Sequence, residues 1–359
     1  MRHGVNIARK LCATALLAFA APASAQDAPT VDPIALGELD GFLTGVTLGD
    51  RFSGVVLVAQ GGRVVFEKAY GKRDERSPAR APDLLTTDTR FNLGSAGRMF
   101  TAVAVLQQVA AGKLKLDTKV GQVLKDYPNR KFRNVTVRQL LADRAGAGDI
   151  ALFGVENAVN RGRYRTAAEM VAAFGARGPA FKPGSQQQPS DFGYVVLGRM
   201  VEVLSGEQFE AYLARNVFAA AGMTRTDHTP CGTGATDLAV GYVTLAGQRQ
   251  RNCVAQPLAG FAAGWQVGTA RDLLRFATAL DEGKLIPKPL LAQAVAAAPA
   301  GGLGLGTGEY WGQAGGGAGT CAELRRYPRA GETIVVLANR DPAICSTVAG
   351  YLPKQRERR

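Results

Sequence analysis

Residues 91–100 read FNLGSAGRMF and decide the fold of this 359-residue chain. Apolar residues recur at helical spacing after Ser95, and Gly112 supplies a stop, so the pattern predicts a helix over 95–111. Ser95 begins that helix, and Arg98 lies one turn later on the same face. A serine with a basic residue at this spacing is typical of a nucleophile that needs no histidine, provided that the base releases its proton.

Arg98 limits what this serine can do. A lysine at the same position would accept the proton of Ser95, whereas a guanidinium with a pKa above about 12 stays charged near neutral pH. The stretch therefore indicates a hydrolase-like site whose usual base has been replaced by a permanent cation.

A Ser-His-Asp triad is the alternative, and it would need His228, the one histidine after residue 25. We expect His228 to be a loop residue and not a member of such a triad. The same scarcity of histidine argues against a zinc site, and we predict neither a metal nor a cofactor.

The patterns outward from this helix predict strands at both ends of the chain and helices between them. Residues 52–59 and 63–70 form a hairpin signal, and 315–326 and 333–338 predict two more strands. We therefore predict an α/β fold of the α+β type, an antiparallel sheet flanked by helices with an inserted helical subdomain. The predicted helices lie at 32–43, 135–141, 167–174, 193–204, 269–280 (opened by a capping box at Thr269 and Asp272) and from 342 onward.

The first 25 residues predict a secretory signal peptide. Three basic residues precede an apolar run, 11–21, that is too short to span a bilayer, and Ala23-Ser24-Ala25 forms the cleavage site. We expect a periplasmic or secreted protein with one domain over 26–359 and no transmembrane segment.

The formal net charge of the chain is +13, and its basic residues are scattered along the sequence instead of clustering in one stretch. This distribution predicts a solvated basic surface and no nucleic-acid partner; attraction to anionic envelope surfaces is the alternative. The sequence identifies no protein partner.

Four cysteines follow the signal segment, and an even number in an oxidising compartment indicates two disulfides. Of the three possible connectivities we predict that nearest neighbours pair, with four buried thiols as the alternative. The predicted pairs are Cys231 with Cys253 and Cys321 with Cys345.

The order and spacing of several segments resemble the serine β-lactamase family in its broad sense, with its class C β-lactamases, D-alanyl-D-alanine carboxypeptidases and related esterases. The resemblance implies a β-lactamase or penicillin-binding-protein-like fold, with the sheet part at about 30–85 and 255–359 and the helical insertion at about 86–254. It covers nearly the whole chain after residue 25 and rests on 91–112 and on shorter matches: Gly54–Val56, Val137–Leu141, Pro183-Gly184, Gly193–Gly198, Gly222–Thr224, Gly264-Trp265, Thr269–Leu280 and Glu323–Pro328.

The family carries out acyl transfer with three motifs, and all three differ here. Its Ser-x-x-Lys reads Ser95-Ala96-Gly97-Arg98, and its Tyr-x-Asn, which supplies a proton-shuttling phenol, reads Pro189-Ser190-Asp191. Its Lys/His-x-Gly, on the strand that lines the cleft, reads Gln313-Ala314-Gly315. A fourth segment, usually Leu-Leu-x-His-Thr-Ser-Gly, reads LLADRAG at 140–146.

The resemblance places the lysine and the asparagine together beside the serine. Their replacements, Arg98 and Asp191, are complementary, so we expect an ion pair next to Ser95. The oxyanion hole would use backbone N–H groups of Ser95 and Gly316, which do not depend on side chains, and we expect it to survive.

Three interpretations of function follow. We favour an impaired relative, a pseudoenzyme that keeps the cleft and binds a peptidoglycan-like or other acyl ligand, because lost acid–base steps alone cost about 10²–10⁴ in rate. The others are an active serine esterase or peptidase with an atypical base, and a non-catalytic envelope interaction protein. The candidate site residues are Ser95, Arg98, Asp191, Gln313 and Gly316.

Overall fold

Apart from Met1, the computed structural model describes residues 31–77, 83–148, 164–257, 261–296, 302–306, 308–317, 319–340 and 344–358. The predicted signal peptide, 1–25, otherwise lies outside the described residues. No described helix has the length and apolar character that crossing a membrane requires.

As predicted, strands lie near both ends of the described chain and most of the helices lie between them. The helices are α1 (Pro33–Leu48), α2 (Arg98–Ala110), α3 (Val120–Val123), α4 (Val137–Leu141), α5 (Ala167–Phe174), α6 (Asp191–Ser205), α7 (Phe209–Leu213), α8 (Ala270–Asp281), α9 (Lys288–Val295), α10 (Cys345–Ala349) and α11 (Tyr351–Arg358). The strands are β1 (Gly54–Gln60), β2 (Arg63–Tyr70), β3 (Phe91–Asn92), β4 (Tyr242–Leu245), β5 (Gln248–Arg251), β6 (Val267–Gly268), β7 (Ala314–Gly317), β8 (Thr320–Tyr327) and β9 (Glu332–Ala338). The short strands β3 to β6 and the helices α3, α7 and α9 were not predicted.

The main sheet is antiparallel and has the order β2-β1-β9-β8-β7. β1 lies between its hairpin partner β2 and the last strand β9, so that Val56 faces Lys68 on one side and Val336 on the other. The two ends of the chain therefore build one sheet, and the predicted fold class is confirmed.

Alternating side chains of β1 divide the interior into two layers. Val55 and Leu57 belong to a large cluster that includes α2 and α8, whereas Val56 and Val58 belong to a smaller cluster with α1, α10 and α11. Both faces of the strand are covered, which explains why its sequence is a continuous apolar run instead of an alternating one.

The predicted helix at 95–111 is wrong in its first turn. Residues 94–97 form a 3₁₀ turn, and the α-helix begins only at Arg98. The amide of Ala96 donates to the carbonyl of Leu93 at 3.1 Å, three residues back, which is the 3₁₀ pattern common at helix starts. Ser95 therefore lies on a tight turn just ahead of α2.

Two further expectations need correction. The strand predicted at 315–326 is two strands, β7 and β8, which reverse near Gly319 with its φ of +72°. Thr269 does cap α8 by accepting from the amide of Asp272, but Asp272 does not complete the predicted box. Its buried carboxylate accepts from the amide of Arg225 and the hydroxyl of Thr226, both at 2.8 Å, because these donors lie beside it.

The predicted disulfides are both present. Cys231 pairs with Cys253 and Cys321 with Cys345, across Cα–Cα distances of 5.5 and 6.2 Å. The second disulfide joins β8 to α10, and Cys321 lies opposite Gly316 of the edge strand β7.

Candidate active site

Ser95 lies where the 3₁₀ turn packs against the edge strand β7. The two backbones are so close that a Cβ added to Gly94 would lie 2.6 Å from the amide nitrogen of Gly316, and one added to Gly315 would overlap the amide of Ala96. Only glycine fits these positions. The contact brings the backbones of Ser95 and Gly316 together, as a two-amide oxyanion hole requires.

Hydrogen bonds from three directions hold the Ser95 turn in place. The amide of Gly94 donates to the side chain of Asn92 at 2.8 Å, and the carbonyl of Gly94 accepts from the amide of Trp265 at 2.9 Å. Thr320 donates from β8 to the carbonyl of Asn92 at 2.9 Å. The position of Ser95 is therefore fixed by β3, β8 and the segment before β6, independently of Arg98.

Arg98 is buried between two carboxylates, with 8% of its surface exposed. Its Nη2 donates to Oδ1 of Asp191, and its Nη1 lies 3.9 Å from Oδ2 of Asp143. The guanidinium carbon lies 5.0 Å from the ring centre of Tyr194, a cation–π distance. The two side chains predicted to pair, Arg98 and Asp191, are thus in contact.

These partners decide the protonation state of Arg98. Burial by itself lowers the pKa of the guanidinium, but attraction to Asp191 and hydrogen bonding with it outweigh burial and raise the pKa above its ordinary value. Arg98 therefore stays protonated and is not a base for the hydroxyl of Ser95.

Asp191 is held at the start of α6. Ser190 caps the helix: its hydroxyl accepts from the amide of Gly193 at 3.1 Å and donates to the carbonyl of Gly148 at 2.6 Å. Asp191 follows in the first turn, where the helix dipole favours a negative charge. The local sequence Pro189-Ser190-Asp191 thus forms a helix start that stabilises a carboxylate in contact with Arg98.

Asp143 is a site residue that we did not predict. Its Oδ1 accepts from the amide of Ser190 at 3.1 Å, and its backbone has a φ of +54°, which turns the chain after α4 toward Arg98. Burial raises the pKa of Asp143 to about 6, although the charge of Arg98 and the Ser190 hydrogen bond oppose the rise. Its position in LLADRAG, where the resembling family has histidine, was the available signal.

Gln313 and Tyr194 are the neutral polar groups that flank this cluster. Gln313 directly precedes β7, and its amide donates to the carbonyl of Gly304 at 2.7 Å. The hydroxyl of Tyr194 donates to the carbonyl of Leu141 at 3.3 Å, and burial raises the pKa of this phenol above its ordinary value. Tyr194 therefore stays neutral and does not substitute for the phenol missing at Pro189.

His228 lies in a loop, as predicted, and its side chain is only partly exposed. Its ring packs 5.8 Å from that of Phe218, which in turn packs edge-on against Phe100 of α2. Burial lowers the pKa of His228 to about 4, because the charged form is poorly solvated there. Among the described residues no hydrogen bond joins His228 to Ser95, so the contacts form no Ser-His pair.

A model of the Beta-lactamase family matches residues 44–348, and the chain belongs to that family. The resemblance noted from the sequence is thereby confirmed. Penicillin-binding protein 4* of Bacillus subtilis (strain 168) is 30% identical over 190 residues, 50% of this chain and 39% of that protein.

Another relative from the same strain, the putative penicillin-binding protein PbpX, is 26% identical over 65% of this chain and 56% of its own length. The chain thus spans only about two fifths to three fifths of the length of these curated relatives. A penicillin binding protein from Bacillus halodurans has a similar structure, with a TM-score of 0.74, 25% identity and coverage of 88% of this chain and 99% of that one.

Proposed function

We propose that this chain is an exported, catalytically impaired member of the Beta-lactamase family that keeps the Ser95 cleft and binds acyl ligands such as peptidoglycan peptides there. The observation that carries the proposal is the state of Arg98: it occupies the base position, one turn after Ser95, and it is locked to Asp191 with Asp143 alongside. A guanidinium held this way does not accept the serine proton.

The other proton-transferring groups of the family's motifs are also replaced. Pro189 has no phenol, and Gln313 carries neither a charge nor a titrating proton. Since each acid–base step contributes about 10²–10⁴ in rate, losing them together leaves a turnover several powers of ten below that of an intact site.

The parts that bind rather than react are retained. Ser95 lies on a turn held by Asn92 and Trp265, and the backbone of Gly316 lies beside it. We assign the amides of Ser95 and Gly316 as the donors for a ligand carbonyl, with the sheet part at about 30–85 and 255–359 and the insertion at about 86–254 as the two walls of the cleft.

Two features support export. The first 25 residues have the charge and apolar pattern of a signal peptide, and the two disulfides fit an oxidising compartment. Mass spectrometry of the protein released from cells tests this proposal, with Gln26 as the expected first residue and an intact Met1 as the contrary result.

Covalent labelling tests the impairment. Purified protein is incubated with benzylpenicillin and, separately, with a fluorophosphonate, and its intact mass is compared with that of Ser95→Ala. We expect no adduct that forms within minutes and depends on Ser95. A rapid adduct on wild type that is absent from Ser95→Ala makes the chain an active acyl-transfer enzyme and ends the proposal.

Restoring one motif residue is a second test. Arg98→Lys returns an amine to the base position, but Asp191 and Asp143 hold it protonated and Pro189 still lacks a phenol. We expect labelling to stay far below that of an intact site. A normal acylation rate in this single variant contradicts the argument; Arg98→Gln, which supplies no base, is its control.

Asp143 favours a second candidate function, an active serine hydrolase with an atypical base. Its pKa of about 6 is suited to a general base near neutral pH, and it lies beside Arg98. In this case hydrolysis of a nitrophenyl ester depends on Ser95, rises through pH 6 and falls at least 100-fold in Asp143→Asn. A rate that is the same in Ser95→Ala rules the candidate out.

A further inference from the structure

The charges around Ser95 carry information about the ligand. We infer that the Ser95 cleft selects acyl ligands that are neutral or cationic at the end next to Arg98 and Gln313, and discriminates against ligands with a free carboxylate there. The inference rests on the proposed ligand-binding function and adds the chemical class of the ligand.

The cluster beside Ser95 has more negative than positive charges. Arg98 contributes one positive charge, while Asp191 and Asp143 contribute two negative charges when both are ionised, and all three are buried or mostly buried. Tyr194 and Gln313 add no charge. The five side chains together therefore carry a formal charge of about −1 at pH 8, in a setting where solvent screens poorly.

Arg98 is not available to a ligand carboxylate. One terminal nitrogen donates to Asp191, the other lies 3.9 Å from Asp143, the guanidinium carbon lies over the ring of Tyr194, and Nε is buried without a hydrogen-bond partner. A carboxylate would have to displace one of these partners and leave a buried aspartate without its cation, which is strongly unfavourable.

Three neutral donors in or next to the cluster hydrogen-bond backbone carbonyls of the protein itself. Gln313 donates to the carbonyl of Gly304, Tyr194 to that of Leu141, and Ser190 to that of Gly148. The next cation along the chain, Arg144, donates to the carbonyl of Gly184 at 2.5 Å, in the loop before α6. The edge strand β7 offers a ligand its backbone, which hydrogen-bonds amides and esters without needing their charge.

Protonation of Asp143 provides an internal control. The charged or titratable groups that act on it are Arg98 from α2 and Asp191 and Tyr194 from α6, and its pKa is raised to about 6 mainly by burial. At pH 5 most molecules carry a neutral Asp143, so the cluster charge approaches zero and the discrimination against a carboxylate shrinks.

Three ligands that differ only at one end test the inference. N-acetyl-D-alanyl-D-alanine is used as the free carboxylate, the primary amide and the 2-aminoethyl amide, and dissociation constants are measured by calorimetry at pH 8 and pH 5. We expect the amide and the amine to bind wild type about tenfold or more tighter than the carboxylate at pH 8, as Coulomb repulsion across a few ångströms predicts, and the ratio to fall about threefold or more at pH 5.

Variants separate the local charge from the overall charge. Asp143→Asn keeps an oxygen acceptor for the amide of Ser190 while removing one negative charge, so its ratio at pH 8 should fall to the level that wild type reaches at pH 5. Asp126→Asn makes the same change in net charge at an exposed position and should leave the ratio unchanged.

The outcomes distinguish this inference from the proposed function. Equal or tighter binding of the carboxylate at pH 8 overturns the inference and leaves the ligand-binding function standing. A preference for the amide that neither pH nor Asp143→Asn alters also overturns it, because the charge cluster is then not its cause. Absence of binding by all three probes removes the proposed function for these ligands together with the inference.

Discussion

At the scale of single residues, Arg98 and Asp191 form an ion pair, and the loss of either side chain should destabilise the protein. Both are buried, and removing one member of a buried pair leaves an uncompensated charge. We therefore predict that Asp191→Asn lowers the free energy of unfolding by about 3 kcal/mol, measured by urea denaturation followed by tryptophan fluorescence.

The matched control is the double variant Arg98→Met/Asp191→Asn. It removes both charges, and its loss should be smaller than that of Asp191→Asn alone. The pair is not the source of the effect if the double variant loses more free energy of unfolding than Asp191→Asn and Arg98→Met lose when their separate losses are added.

Asp143 should make stability depend on pH in an unusual direction. Its folded pKa of about 6 exceeds the ordinary 3.8, so the folded state keeps a proton that the unfolded state has lost between about pH 4 and 6, and stability falls as pH rises through this window. His228, with its pKa lowered to about 4, has the opposite slope. Because the two slopes oppose each other in wild type, the prediction concerns the difference in free energy of unfolding between wild type and Asp143→Asn.

Urea denaturation of wild type and Asp143→Asn at pH 4, 5, 6 and 7.5 checks it. The free energy of unfolding of the variant minus that of wild type should increase by about 2 kcal/mol from pH 4 to 7.5. A shift of one pKa unit corresponds to about 1.4 kcal/mol. Parallel curves would mean that Asp143 has an ordinary pKa.

Most of the charge cluster could be predicted from the sequence, and Asp143 shows why the rest could not. Ser95, Arg98 and Asp191 stand at recognisable motif positions, and the complementarity of the last two predicts their contact. Asp143 enters through a left-handed backbone conformation after α4, which aspartate adopts more readily than most residues but which its local sequence alone does not specify. The partial burial of His228 escaped prediction for the same reason.

At the scale of elements, apolar runs predicted β1 and β9 well, whereas the glycines of β7 gave no pattern from which a separate strand could be predicted. A run such as AGGG has no apolar pattern and no strand propensity, so its place at the sheet edge follows only from its pairing with β8. The glycines are there because the Ser95 turn packs against the strand backbone.

Gly315→Ala is the test of that close contact. The added methyl group would overlap the backbone of Ala96 and Ser95, so we predict a loss of about 1–3 kcal/mol in stability and at least tenfold weaker binding of the amide probe. Urea denaturation and calorimetry measure the two effects.

Gly41→Ala in α1 is the matched control. Nothing lies within 4 Å of a Cβ added at this exposed position, so alanine should stabilise α1 by about 0.5–1 kcal/mol and leave ligand binding unchanged. Indistinguishable effects of the two substitutions would argue against the contact between β7 and the Ser95 turn.

At the scale of the whole molecule, the two disulfides should differ in their effect on the site. Each spans a similar length of chain, 22 and 24 residues, so replacing either pair by alanines should cost a similar amount, about 3 kcal/mol. Only Cys321 lies opposite Gly316, so Cys321→Ala/Cys345→Ala should weaken binding of the amide probe more than Cys231→Ala/Cys253→Ala does. Equal binding by the two variants would contradict this.

The position of β9 in the middle of the sheet has a consequence for biogenesis. β9 pairs with β1 on one side and β8 on the other, although a long stretch of chain separates it from β1: Gln60 of β1 lies opposite Glu332 of β9. Until residue 338 has been made, β1 lacks one of its two neighbouring strands and the sheet lacks its middle strand. The nascent chain therefore lacks the pairing that would make the sheet compact. A polypeptide built this way remains threadable through a narrow pore until its β9 segment has been made.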